Sequence, residues 1–231
     1  IKFADQVIIK ESNITNQILF SLVQQTSNWL EDLGVKPKQR IIIPELKYPQ
    51  SEILLYGVWN LGAKAVLSLN LPKDVIKKRS MAKDVIDSNI NLFNEIKTYP
   101  ENHEPKYKPL LSDEALLTFE KKEGIRISHY NLLINANGIQ KGIGLKSRTR
   151  FYCNLLPRST CWVIFKAILP IYSGCIFDQL EPEITIGKSG SNYNLRDDIK
   201  NITKFSETDI AICPENTACL SIGQKPIHLI N

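Results

Sequence analysis

Between residues 13 and 33 the apolar side chains Ile18, Leu19, Leu22, Val23, Trp29, Leu30 and Leu33 recur with the spacing of one face of an amphipathic helix. Asn13 or Thr15 is placed to cap the start of that helix, and Gly34 to supply the left-handed residue that ends it. The pattern then shifts to short apolar runs separated by turn residues. Residues 40–44 read as a buried strand, 49–61 as a helix stopped by Gly62, and 64–69 as a second strand.

The alternation continues. The pattern predicts a helix over 73–87, a short strand over 91–94 and an exposed connection over 97–109, which carries lysines and prolines. Strands follow at 115–119 and 124–127, then a helix opening at Ser128, a strand at 151–155, a helix at 161–172 and a strand at 175–178. Residues 188–192 have loop composition. A polar helix is expected over 195–205, with strands at 209–213 and 226–230. Repeated strand–helix units with short connections imply an α/β fold, a mostly parallel sheet with helices on both faces. A chain of 231 residues that is 43% hydrophobic buries a sizeable core and is expected to form one globular unit near the upper size for a single domain.

Composition narrows the function classes. Lys and Arg number 29 against 24 Asp and Glu, a net charge of +5. The basic residues are scattered and their longest cluster is Lys77, Lys78 and Arg79, so a solvated surface is favoured over a nucleic-acid interface. Five cysteines, with no Cys-x-x-Cys pair and three histidines, argue against a disulfide framework and a structural zinc site. A reducing cytoplasm is the expected compartment. No run has the length of a membrane span, and the N-terminus lacks the build of a signal peptide. The chain opens at Ile1 instead of methionine, which leads to the expectation of a preceding segment.

Several segments, in order, resemble the adenylate-forming superfamily of acyl-CoA synthetases, luciferases and peptide-synthetase adenylation domains. Gly124-Ile-Arg-Ile-Ser-His-Tyr-Asn-Leu-Leu133 is similar to the strand and Ser-His-x-Asn-Leu helix start that follow that family's phosphate loop. Trp29-Leu-Glu-Asp-Leu-Gly-Val-Lys-Pro-Lys-Gln-Arg40 resembles its first helix and Gly-Val-x-Pro-x-x-Arg turn, and Tyr56-Gly-Val-Trp-Asn-Leu-Gly-Ala-Lys-Ala-Val66 its Gly-Ala helix end. Asn154-Leu-Leu-Pro157 and Pro170-Ile-Tyr-Ser-Gly-Cys175 match later elements. The resemblance implies the first subdomain of an adenylate-forming enzyme across residues 1–231, without the second subdomain and the small C-terminal domain. It also implies an ATP-dependent ligase that makes an acyl-adenylate and then a thioester, with ATP and Mg as cofactors and CoA or a carrier-protein thiol as acceptor.

The family's loop of Ser, Thr and Gly lets backbone N–H groups surround a polyphosphate. Here Phe119-Glu-Lys-Lys-Glu-Gly124 offers one glycine, no hydroxyl and two carboxylates that repel phosphate. Two alternatives stand: the loop is lost from the protein, or the sequence is interrupted there. The residues aligned with the nucleotide site are Lys121, Lys122 and Gly124. Ser159, Thr160 and Trp162 fall where the family borders its acyl pocket, against the plainer reading of a capped helix start with a core tryptophan. His129 reads as structural, and His103 and His228 carry no signal. The pairs Asp113 and Glu114, and Glu181 and Glu183, read as surface charge. No metal ligands and no catalytic residue are assigned. A fatty or aryl carboxylic acid is the implied substrate, with a homo-oligomer or a separately supplied remainder as partner. The alternative is a degenerate, non-catalytic relative that serves as a binding or regulatory partner.

Overall fold

A computed structural model describes residues 3–68, 71–119, 124–187, 190–196, 209–212, 219–222 and 225–228. The chain divides into two compact units, where the sequence suggested one. The first comprises Ile1–Gln6, Ile14–Tyr130 and Leu156–Thr160; the second comprises Val7–Asn13, Asn131–Leu155 and Cys161–Asn231.

Strand β1 (Val7–Ile9) belongs to the second unit, while β2 (Ile14–Thr15) leads into α1 (Asn16–Asp32) of the first. Thr15 is the cap, its hydroxyl accepting from the Ile18 N–H at 3.2 Å. Helix α1 packs on α2 (Gln50–Asn60) at a close crossing. A Cβ on Gly57 would lie 2.4 Å from the Thr26 methyl, so only glycine fits there. The sheet of this unit runs β3-β4-β5-β6, formed by β3 (Arg40–Ile42), β4 (Lys64–Ser68), β5 (Glu114–Phe119) and β6 (Ile125–Ser128). The first three are parallel and β6 is antiparallel to β5. Ile41, Ala65, Val66, Ala115 and Leu116 are wholly buried, as near-continuous apolar runs in a covered parallel sheet should be.

Two predicted elements differ. Helix α3 covers only Lys73–Ser80 and ends at Met81, which takes the left-handed conformation (φ 54°). Beyond it Lys83 turns beside β3, donating to Arg40 O at 2.8 Å and accepting from Ile42 N at 3.1 Å. The strand expected at 91–94 is instead a helix, α4 (Leu92–Ile96). Asn91 caps it by accepting from Phe93 N, and Leu92 and Ile96, one turn apart, are the wholly buried pair that a single helical turn presents.

Helix α5 (His129–Ile143) starts in the first unit and continues into the second. The second unit contains β7 (Arg150–Cys153), α6 (Cys161 onward of Thr160–Trp162), a π-helical stretch (Val163–Ile168), α7 (Leu169–Ser173) and β8 (Ile176–Phe177). It is completed by β9 (Ile184–Gly187), β10 (Tyr193–Arg196), β11 (Asp209–Ile212), β12 (Cys219–Ile222) and β13 (Lys225–His228). Strand order is β13-β12-β11-β10-β9-β7-β8-β1, parallel from β1 to β11 and antiparallel for the last two pairings. Pro170 has no N–H for the helical ladder, and the wide turn before it, in which Leu169 N–H reaches Ile164 O, is where the helix adjusts. Phe151, Trp162 and Phe165 are the wholly buried aromatic side chains among the described residues of this unit. The expected polar helix over 195–205 begins instead as strand at Leu195 and Arg196, and 197–205 lie outside the described residues.

Candidate functional site

Parallel strands β3, β4 and β5 end side by side, the place where open α/β sheets bind ligands. At this end Phe119 is buried with Ile42, Val66, Ile76, Ala82 and Leu117, and Leu71 packs against the group. The Arg79 guanidinium lies over the Phe119 ring, 5.4 Å from its centroid. Gly124 approaches the same ring: a Cβ there would sit 2.8 Å from Phe119 Cε1 and 3.1 Å from Leu117 Cδ1. Its bare backbone is therefore used against an aromatic side chain. Lys121 and Lys122 lie outside the described residues. Among the described residues no group of three or more His, Cys, Asp or Glu side chains is disposed to hold a metal ion. The described residues alone therefore do not compose a metal–polyphosphate site.

Below this end, the pairs read as surface charge have defined partners. Arg40 Nε and a terminal nitrogen donate to the two Glu114 oxygens at 2.7 and 2.9 Å, and Arg40 also donates to Ser80 O at 3.0 Å. Lys64 and Arg126 each lie 3.8 Å from Glu114. Burial works to raise the Glu114 carboxyl, but the Arg40 hydrogen bonds and the three cations outweigh it and hold the group below the ordinary carboxylate range. Asp113 accepts from the Tyr107 hydroxyl and from Leu110 N, which lowers its carboxyl. Its carbonyl receives His129 N–H at 3.1 Å. The His129 ring meets Trp59 edge-on at 5.7 Å, and burial pushes its imidazole down, opposed by the Asp113 charge. Trp59 in turn donates to Ala115 O at 2.9 Å, so this group braces β5 against the start of α5. In the second unit Glu181 and Glu183 pair with Arg150 at 3.3 and 2.9 Å.

The acyl-pocket candidates are divided between the units. Ser159, half-buried, and Thr160, buried, belong to the first, where neighbouring Arg158 pairs with Glu45 at 2.7 Å. Trp162 belongs to the second and is wholly buried.

The connection over 97–109 holds what the sequence reading missed. From 102 to 109 it alternates exposed and half-buried residues, and it is tied along α1. Gln25 donates to Tyr99 O (3.0 Å), Asn28 to Pro100 O (2.8 Å) and Asn102 O (2.9 Å), and Gln24 accepts from His103 N (3.1 Å). The His103 side chain is 2% exposed. The amphipathic pattern of α1 marked its apolar face, while the amides at 24, 25 and 28 stood out only by lying on one other face.

No protein-family model matches the chain, and no curated protein matches it. Solved structures do. MatB from Rhodopseudomonas palustris superposes on 81% of this chain and 47% of its own at TM-score 0.66 and 14% identity. The fold is that of the N-terminal subdomain of adenylate-forming enzymes. The anthranilate CoA ligase AuaEII, in complex with anthranoyl-AMP, gives 0.66 and 16% identity over 80% of this chain and 47% of its own. A Mycobacterium tuberculosis fatty acyl CoA synthetase gives 0.61 and 15% over 74% and 40%. The chain therefore spans less than half the length of these structures.

Proposed function

We propose that the chain is the N-terminal portion of an ATP-dependent ligase that joins a carboxylic acid to AMP with release of pyrophosphate and then transfers the acyl group to CoA or a carrier thiol. One observation carries this reading: 74–80% of the chain superposes on part of structures described as an anthranilate CoA ligase and acyl-CoA synthetases. The substrate class is a fatty or aryl acid, in keeping with the anthranilate and fatty acyl enzymes among those structures. A second subdomain and a small C-terminal domain, continuous or separately supplied, complete the site, and the chain contributes Lys121, Lys122 and Gly124 to nucleotide contact and Ser159, Thr160 and Trp162 to the acyl side. A cytoplasmic setting accords with the cysteine usage, five widely spaced residues with no Cys-x-x-Cys pair.

The alternative is a non-catalytic relative that retains the fold as a binding or regulatory partner. Pyrophosphate exchange by the intact gene product with a panel of fatty and aryl acids separates the two. Acid-dependent exchange supports the ligase; no exchange together with no ATP-dependent thermal shift supports the non-catalytic relative.

A further inference from the structure

We propose that residues 99–107 form a strap latched onto α1 by the neutral form of His103 and released when that imidazole takes a second proton. Hydrogen bonds assign the tautomer. Asn28 uses its NH₂ group twice, on Pro100 O and Asn102 O, so its Oδ1 is the atom 2.8 Å from His103 Nδ1, and Nδ1 must carry the hydrogen. Nε2 is then a bare acceptor; it is buried and has no hydrogen-bond partner among the described residues. A second proton would be placed on an atom facing neither water nor an acceptor.

The groups around the ring do not relieve this. Glu31 on α1 lies 3.9 Å from Nδ1, already occupied with Asn28, and Glu31 is itself engaged by Lys106 of the strap. Gln24, also on α1, is committed to the His103 backbone N–H. Before His103 the strap is fastened by Ser21 donating to Glu101 at 2.8 Å and by Tyr99 donating to Asp32 at 2.8 Å. Burial depresses the imidazole, with Glu31 acting upward and Lys106 downward. Because the released strap binds the proton more readily than the latched one, the latched state is favoured above the ordinary imidazole value and loses ground below it.

The test is a pH titration of the chain by nitrogen-resolved imidazole NMR with amide hydrogen exchange across 99–107, corrected for intrinsic rates. The expected result is an Nδ1–H tautomer at neutral pH and strap exchange rising about tenfold per pH unit below about 6.5. His103→Asn, whose amide can keep the donor to Asn28 without a titrating group, should remove that acid dependence, and His103→Ala should raise exchange at every pH. An Nε2–H tautomer, a His103 pKa at or above the ordinary value, or the same acid dependence in His103→Asn would overturn the latch.

Discussion

Arg40, the first residue of β3, and Glu114, the first of β5, meet in a two-point ion pair that spans the intervening strand β4. Their side chains are 14% and 11% exposed, and Arg40 also fixes the end of α3 through Ser80 O. Removing one partner leaves the other charge largely enclosed. Arg40→Met should therefore destabilise the chain by roughly 3 kcal/mol, and Arg40→Met with Glu114→Gln by less than either single change implies. Denaturant unfolding of the two single variants and the double variant measures this.

The same pair sets a pH dependence. Glu114, Asp113 and Asp178 all ionise more readily in the fold than in the unfolded chain; for Asp178 the hydrogen bond from Lys10 leads. Depressed carboxyls contribute stability that is present above their unfolded values and is lost as pH falls through the folded ones. Stability should hold at pH 7 and decline below about 4, and Arg40→Met should flatten the decline. Unfolding midpoints between pH 7 and 3 report the outcome.

Met81 holds a left-handed conformation at the end of α3 with 83% of its surface exposed, so little packing offsets the strain. Met81→Gly should raise stability by roughly 0.5–1 kcal/mol. A lowered thermal midpoint would mean that the conformation costs nothing there.

Gly124→Val would force its side chain against the Phe119 ring and Leu117. A loss of about 1–3 kcal/mol is expected, with Phe119→Leu in the same chain restoring part of it. Thermal unfolding of the single and double variants decides whether the two positions are coupled.

Burial pushes the Cys175 thiol up to about 12, and Cys153 is wholly buried, whereas Cys161 is half-buried. In native protein at pH 8, iodoacetamide should modify Cys161 first among these three, with Cys153 and Cys175 reacting only after denaturation. Peptide mass analysis over time gives the order.

Elements whose signals are local were legible in the sequence. Thr15, Gly34 and Gly62 bound α1 and α2, and the apolar runs at 64–69 and 115–119 became β4 and β5 because a covered parallel strand needs little more than an apolar run. The strand expected at 91–94 failed on a competing local signal, the Asn91 cap, and the helix over 73–87 failed because Lys83 found backbone partners on β3. Nothing in the pattern marked Met81 as a left-handed residue. Within the candidate site, Gly124 was singled out by its motif as a nucleotide contact, whereas its contact with Phe119 depends on the hairpin register that pairs Leu117 with Arg126 and Thr118 with Ile125. Arg40 with Glu114, and Asn28 with His103, lie more than seventy positions apart, and one sequence holds no record of such meetings.

The strap on α1 also divides a long excursion. Strands β4 and β5 are neighbours in the sheet, but the chain between them runs through α3, α4 and the strap before it returns. Fastening 99–103 to α1 splits that closure into two shorter ones. The amides of α1 therefore bear on chain closure as well as on packing: without Asn28 the loop between β4 and β5 would close as one long excursion.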